Sequence, residues 1–197
     1  MTAPPLSETE DVAVRLGRAL DAVGIRYLIG GSVASSLVGE PRATNDLDVL
    51  VELAESQVPA LAEALGPDFD VDTESLADAV RRRGSWNIFY LPLVTKIDLF
   101  IKQLDPFDAE ALNRRRRVGL PGGSVWVASP EDILLRKLSW FRRGGEVAGQ
   151  QWRDILGILA ISGQALDREY VTRWASTLGV DDLWVRAERA SRGRERG

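Results

Sequence analysis

The sequence predicts an α/β (α+β) fold: a mixed β-sheet flanked by helices, followed by a C-terminal helical region. Three observations carry this. Two short aliphatic stretches, Asp46–Glu52 (DLDVLVE) and Thr95–Ile101 (TKIDLFI), read as buried strands. Segments of helical period are interleaved with strand-like pieces through the first two thirds of the chain. After Ser129 only helical patterns remain, over 130–142, 150–161, 168–178 and 181–192. The expected division is an α/β core over 1–128 and a helical lobe packed on it over 129–197. A chain of 197 residues buries such a core without covalent staples.

The elements follow in order. Ser7 and Glu10 have the spacing of a capping box, and Val12, Leu16, Ala19, Leu20 and Val23 form one helical face that Gly24 ends. Residues 25–29 (IRYLI) read as a short buried strand. Gly30-Gly31-Ser32 is a turn, and a helix opens at Val33. A helix is expected over 55–65, closed by Gly66-Pro67, then a strand and a short helix within 68–84. Strands at 86–91 and 95–101 surround Pro92 as a hairpin. A short helix at 107–114 precedes strand pieces within 118–127 around Pro121-Gly122-Gly123.

Composition narrows the chemistry. The chain has no cysteine and no histidine, so disulfides, thiolate metal sites and imidazole bases are excluded. Catalysis would have to run on carboxylates, Lys, Arg, hydroxyls or a hard cation held by oxygen, and Mg²⁺ suits that donor set. The net charge of −4 argues against a surface that attracts nucleic acid as a whole, although Arg114–Arg117 forms a local basic run. No apolar stretch is long enough to span a bilayer and the N-terminus lacks a signal-peptide core. A cytoplasmic location with no membrane partner is the expectation.

Three places carry chemistry. At Gly30-Gly31-Ser32, between a strand and a helix, outward-pointing N–H groups suit a phosphate, and glycine permits its close approach. In Asp46-Leu47-Asp48 the two carboxylates share one face of a strand and project side by side. They repel unless a cation neutralises them, which Mg²⁺ bridging to substrate phosphates would do. Asp98 interrupts an apolar strand. If that strand neighbours 46–52, Asp98 joins the pair, giving three carboxylates for metal-assisted phosphoryl chemistry or a base toward an attacking hydroxyl. The plainer alternative pairs Asp98 with Lys96 at a sheet edge. On the helix opened by Ser129-Pro130, Lys137 falls within an apolar stripe and needs a partner, either Asp154 of the next helix or a nucleotide phosphate.

Residues 29–51, IGGSVASSLVGEPRATNDLDVLV, followed by KIDLFI at 96–101, resemble the nucleotidyltransferase (polymerase-beta-like) superfamily. Its pattern is an apolar residue with Gly-Gly or Gly-Ser, a carboxylate–apolar–carboxylate strand, then a third carboxylate in a later strand. Arg42 and Thr44 ahead of the Asp pair look like the branch containing the abortive-infection (AbiEii-type) toxin nucleotidyltransferases and related uncharacterised proteins. That branch also carries a Lys and an Asp on successive helices, where this chain has Lys137 and Asp154. The resemblance spans about residues 20–162.

It implies the nucleotidyltransferase fold and Mg²⁺-dependent transfer of an NMP from a nucleoside triphosphate to an acceptor hydroxyl. Asp46, Asp48 and Asp98 would be catalytic and metal-binding, and Lys137 catalytic. Gly30, Gly31, Ser32, Arg42, Thr44 and Asp154 would hold the nucleotide. The acceptor would be an RNA or tRNA end, a protein or a small molecule. A toxin role would add an antitoxin partner. The competing readings are a non-catalytic nucleotidyltransferase-fold module that binds nucleotide or protein, and a glycosyltransferase whose Asp-x-Asp holds a metal-nucleotide.

Overall fold

Among the described residues seven strands form one mixed sheet in the order β3-β4-β5-β2-β1-β7-β6. The computed structural model describes residues 8–31, 33–34, 46–147 and 149–194. The elements up to Ala128 are α1 (Glu8–Val23), β1 (Arg26–Ile29), β2 (Asp46–Glu52), α2 (Val58–Leu65), β3 (Phe69–Asp70), α3 (Thr73–Arg82), β4 (Ser85–Tyr90), β5 (Thr95–Ile101), α4 (Pro106–Arg114), β6 (Arg116–Leu120) and β7 (Gly123–Val127). Four helices follow: α5 (Pro130–Arg143), α6 (Gly149–Ser162), α7 (Arg168–Thr177) and α8 (Asp181–Arg194). The described residues through Ala128 form one compact unit and those from Ser129 another.

The sheet unit follows from alternation. Leu47, Val49 and Val51 on β2 and Ile97, Leu99 and Ile101 on β5 are buried on one face. Residues between them on the strands point the other way. β2 and β5 run parallel, whereas β1–β2 and β4–β5 are antiparallel. Helix α1 places Val12, Leu16 and Leu20 in the core. It lies so close to β1 that a Cβ on Gly17 would fall 2.5 Å from the Tyr27 hydroxyl.

The helical unit is anchored at the start of α5. Ser129 caps the helix by accepting from the Asp132 amide, and Pro130 occupies the first turn. The buried Asp132 carboxylate accepts from the Ser129 hydroxyl at 2.7 Å and from Tyr170 Oη of α7 at 2.6 Å. Glu131 accepts from the Asp167 amide, joining the N-termini of α5 and α7. Phe141 and Trp152 stack with ring centroids 5.2 Å apart, tying α5 to α6.

Among the described residues the expected elements recur, with shifts at their ends. The segment 55–65 is a 3₁₀ turn at Glu55–Gln57 followed by α2, because Pro59 sits in the first turn of the α-helix. β6 begins at Arg116, two residues earlier than expected, so the arginine run enters a strand. There the guanidinium of Arg115 lies 4.5 Å and that of Arg117 5.4 Å from the Trp126 ring centroid. Part of the basic run is thus stacked on Trp126 of β7. The expected cap at Ser7 lies outside the described residues, as does most of the helix expected after Val33. Among the described residues no helix is long and apolar enough to cross a membrane.

Candidate active site

The parallel pairing of β2 with β5 sets Asp48 opposite Asp98 and Asp46 opposite Lys96. Register partners on neighbouring strands stand about 4.8 Å apart and project to the same face. Asp98 is therefore beside the Asp46–Asp48 pair, as the sequence expectation required if the strands were neighbours. β5 is an interior strand with β4 on its other side, so Asp98 is not an edge residue. β4 completes a grid: Phe89 pairs Lys96, Asn87 pairs Asp98 and Ser85 pairs Phe100. The grid is open to solvent, with Phe89 and Phe100 each 36% exposed.

The Gly-Gly turn meets the same carboxylates. The Gly30 amide donates to the Asp48 carbonyl at 2.8 Å, and the Ala34 amide donates back to Gly30 as the next helical turn opens. Gly31 has φ +58°, and a Cβ there would fall 1.8 Å from Asp48 Oδ2. Only a residue without Cβ lets the turn close onto Asp48. The strand–turn–helix entry thus lies at the edge of the acidic grid, with the Gly30 amide taken up by the Asp48 carbonyl. Ser32, Arg42 and Thr44 lie outside the described residues.

Lys96 reaches into this grid. Its Nζ stands 2.8 Å from Asp98 Oδ1 and 2.9 Å from Oδ2. The hydrogen bond to Asp98 holds the ammonium above its ordinary pKa. The charges of Asp98, Asp46 and Asp48 act in the same direction, against partial desolvation. Three carboxylates with no softer ligand nearby are the right donors for a hard divalent cation. In kind, then, the residues fit such an ion. In position they do not yet enclose one: among the described residues no group of three acidic, His or Cys side chains is arranged to hold a metal. Both oxygens of the third carboxylate are engaged by the Lys96 ammonium.

Lys137 and Asp154 meet within the helical unit. Lys137 Nζ, with its side chain 3% exposed, donates to Asp154 Oδ2 at 2.8 Å, and Gln150 Nε2 donates to Oδ1 at 2.8 Å. The carboxylate of the next helix thus partners the buried ammonium. Asn87 and Phe89 were missed by sequence reasoning. The hairpin reading of 86–101 contained the signal, because it places every second residue of β4 across from Lys96 and Asp98.

No protein-family model and no curated protein sequence matches the chain. Solved structures do. The chain is similar to an antigenic nucleotidyltransferase-like protein from Paracoccidioides brasiliensis, with 22% identity, TM-score 0.57 and 95% of each chain covered. It is also similar to the antibiotic-resistance factor ANT(2'')-Ia, with 14% identity, TM-score 0.51, and 96% of this chain and 98% of that one covered. At these identities the likeness is one of fold: the chain has a nucleotidyltransferase-like architecture over nearly its whole length.

Proposed function

We propose that this protein is a metal-dependent nucleotidyltransferase that moves an NMP from a nucleoside triphosphate to an acceptor hydroxyl. The observation that carries this is the convergence of Gly31, Asp48 and Asp98 through the turn after β1 and the parallel register of β2 and β5. A phosphate-binding turn packed directly against a carboxylate pair serves a phosphorylated, cation-bearing substrate better than it serves stability.

In this reading the turn at Gly30 and Gly31, with Ser32, would hold the triphosphate, and Asp46, Asp48 and Asp98 would hold Mg²⁺. A divalent ion bound there supplies charge neutralisation and in-line alignment of the phosphates. Asp98 takes the proton of the acceptor hydroxyl. The acceptor oxygen forms a bond to the α-phosphorus, the bond from that phosphorus to the bridging oxygen breaks, and pyrophosphate leaves with the electron pair. Arg42 and Lys137 would offset its charge, and Thr44 and Asp154 would position the nucleotide. Arg42, Thr44 and the nucleotide role of Asp154 enter through the family resemblance alone. The acceptor is an RNA or tRNA end, a protein or a small molecule, and a toxin role with an antitoxin partner belongs to the AbiEii-type branch of the same reading.

One observation favours a second reading, a binding module without turnover: Asp98 is held by Lys96 rather than poised as a base. The test is incubation with each α-³²P-labelled nucleoside triphosphate, Mg²⁺ and either total RNA or lysate, beside the Asp46→Ala/Asp48→Ala double variant. Label transferred by the native protein alone supports nucleotidyl transfer and identifies the acceptor class. Binding of nucleotide with no transferred label in any fraction supports the module.

A further inference from the structure

Lys96 does not belong to the expected machinery, yet it sits in the middle of it. It lies two residues before Asp98 on the same face of β5, directly opposite Asp46 on β2. Its ammonium is within 2.9 Å of both oxygens of Asp98. The three Asp residues nearby form no ready metal cage. Lys96 is 38% exposed at its side chain, and its long stem has room to swing. An ammonium and a divalent cation on one carboxylate repel each other at close range, so both oxygens of Asp98 cannot serve the two together.

We propose that Lys96 is a built-in counter-cation that competes with the metal for Asp98 and couples metal binding to nucleotide binding. Without nucleotide, Lys96 keeps Asp98 and offsets one of the three negative charges of the grid. When a triphosphate enters beside Gly30 and Gly31, it offers the ammonium a new anionic partner. Lys96 leaves Asp98, and the carboxylate turns to the incoming cation. The metal is thereby taken up with its nucleotide rather than alone. Lys96 is a positioning residue in this scheme, acting through Asp98, and the inference rests on the reading of the grid as a metal-nucleotide site.

The test is Mn²⁺ binding, followed by electron paramagnetic resonance on the intact chain. It is measured with and without the α,β-methylene analogues of ATP, GTP, CTP and UTP, each in turn. The native protein is expected to bind Mn²⁺ weakly alone and far more tightly with the analogue. Lys96→Met should tighten binding of Mn²⁺ alone by about tenfold or more and shrink the gain from the analogue. Lys96→Arg, which keeps the charge, should resemble the native protein. Lys96→Gln serves in place of the Met variant if that one does not fold, as judged by circular dichroism. Equal or weaker Mn²⁺ binding by the neutral variants, with the native protein still binding, overturns the role of Lys96 alone. Failure of every form to bind Mn²⁺, with or without the analogue, overturns the metal reading together with it.

Discussion

Gly31 lies against the side chain of Asp48 so closely that a single added carbon would fall 1.8 Å from Oδ2. This contact links the two sequence motifs physically. The turn cannot take up its position unless residue 31 is glycine, and Asp48 cannot keep its place on the grid if it is not.

Gly31→Ala should therefore act twice. The backbone at φ +58° disfavours a Cβ by about 1–2 kcal/mol, and the methyl group displaces the carboxylate. The expected result is a modest fall in melting temperature and a loss of nucleotide affinity larger than that fall explains. Calorimetric nucleotide titration beside thermal melting checks it. Native affinity in the variant would show that the turn and Asp48 do not act together.

The carboxylates should divide their work. Asp48→Asn keeps the backbone bond to the Gly30 amide, so the fold should persist. Losing a ligand charge at the site should lower transfer by at least ~10²-fold, as several kcal/mol of charge stabilisation implies. Asp98→Asn should lose transfer while retaining nucleotide binding. Single-turnover rates and binding constants of the two variants separate these roles.

Much of this arrangement was legible in the sequence, for identifiable reasons. Asp46 and Asp48 stand in an apolar strand where alternation alone fixes their shared face. Asp98 interrupts a second such strand, so both sites announced themselves as exceptions to a pattern. Neighbourhood was not legible. Nothing local to 46–52 or 95–101 says that they pair parallel or that Asp48 meets Asp98 rather than Lys96, because register is decided across the sheet. For the same reason Asn87 and Phe89 went unnoticed, and Lys96 was weighed only as a plain ion-pair partner. The partner of Lys137 was readable as one of two, since burial demands a counter-charge without saying which.

That counter-charge makes a stability prediction. Lys137→Ala leaves Asp154 facing a site where its ion pair has gone, and breaking such a buried pair costs about 3–5 kcal/mol. Lys137→Met/Asp154→Leu should recover most of the loss by replacing the pair with apolar packing. Urea unfolding of the three forms measures this. If the recovered double variant also binds nucleotide as the native protein does, Lys137 serves the helical unit and not the nucleotide.

Tyr27 predicts behaviour at alkaline pH. Its ring is almost fully buried beneath α1, and burial pushes its phenol up to about 12, with the charge of Asp21 adding. In the unfolded chain the phenol ionises near 10. Because the folded value is the higher one, this contribution to stability is complete below pH ~10 and is lost as pH rises toward ~12. Tyr27→Phe should flatten the decline. Melting curves across that window, native against variant, are the check. An equal decline in both would assign it to other groups.

The proposed transfer breaks the bond between the α-phosphorus and the oxygen that bridges to the β-phosphate. The most direct measurement runs parallel reactions with α-³²P- and γ-³²P-labelled nucleoside triphosphate and follows both labels. Nucleotidyl transfer would put α-label on the acceptor and release γ-label as pyrophosphate. Transfer of the γ-label to the acceptor, or bound nucleotide from which neither label ever moves, would contradict it.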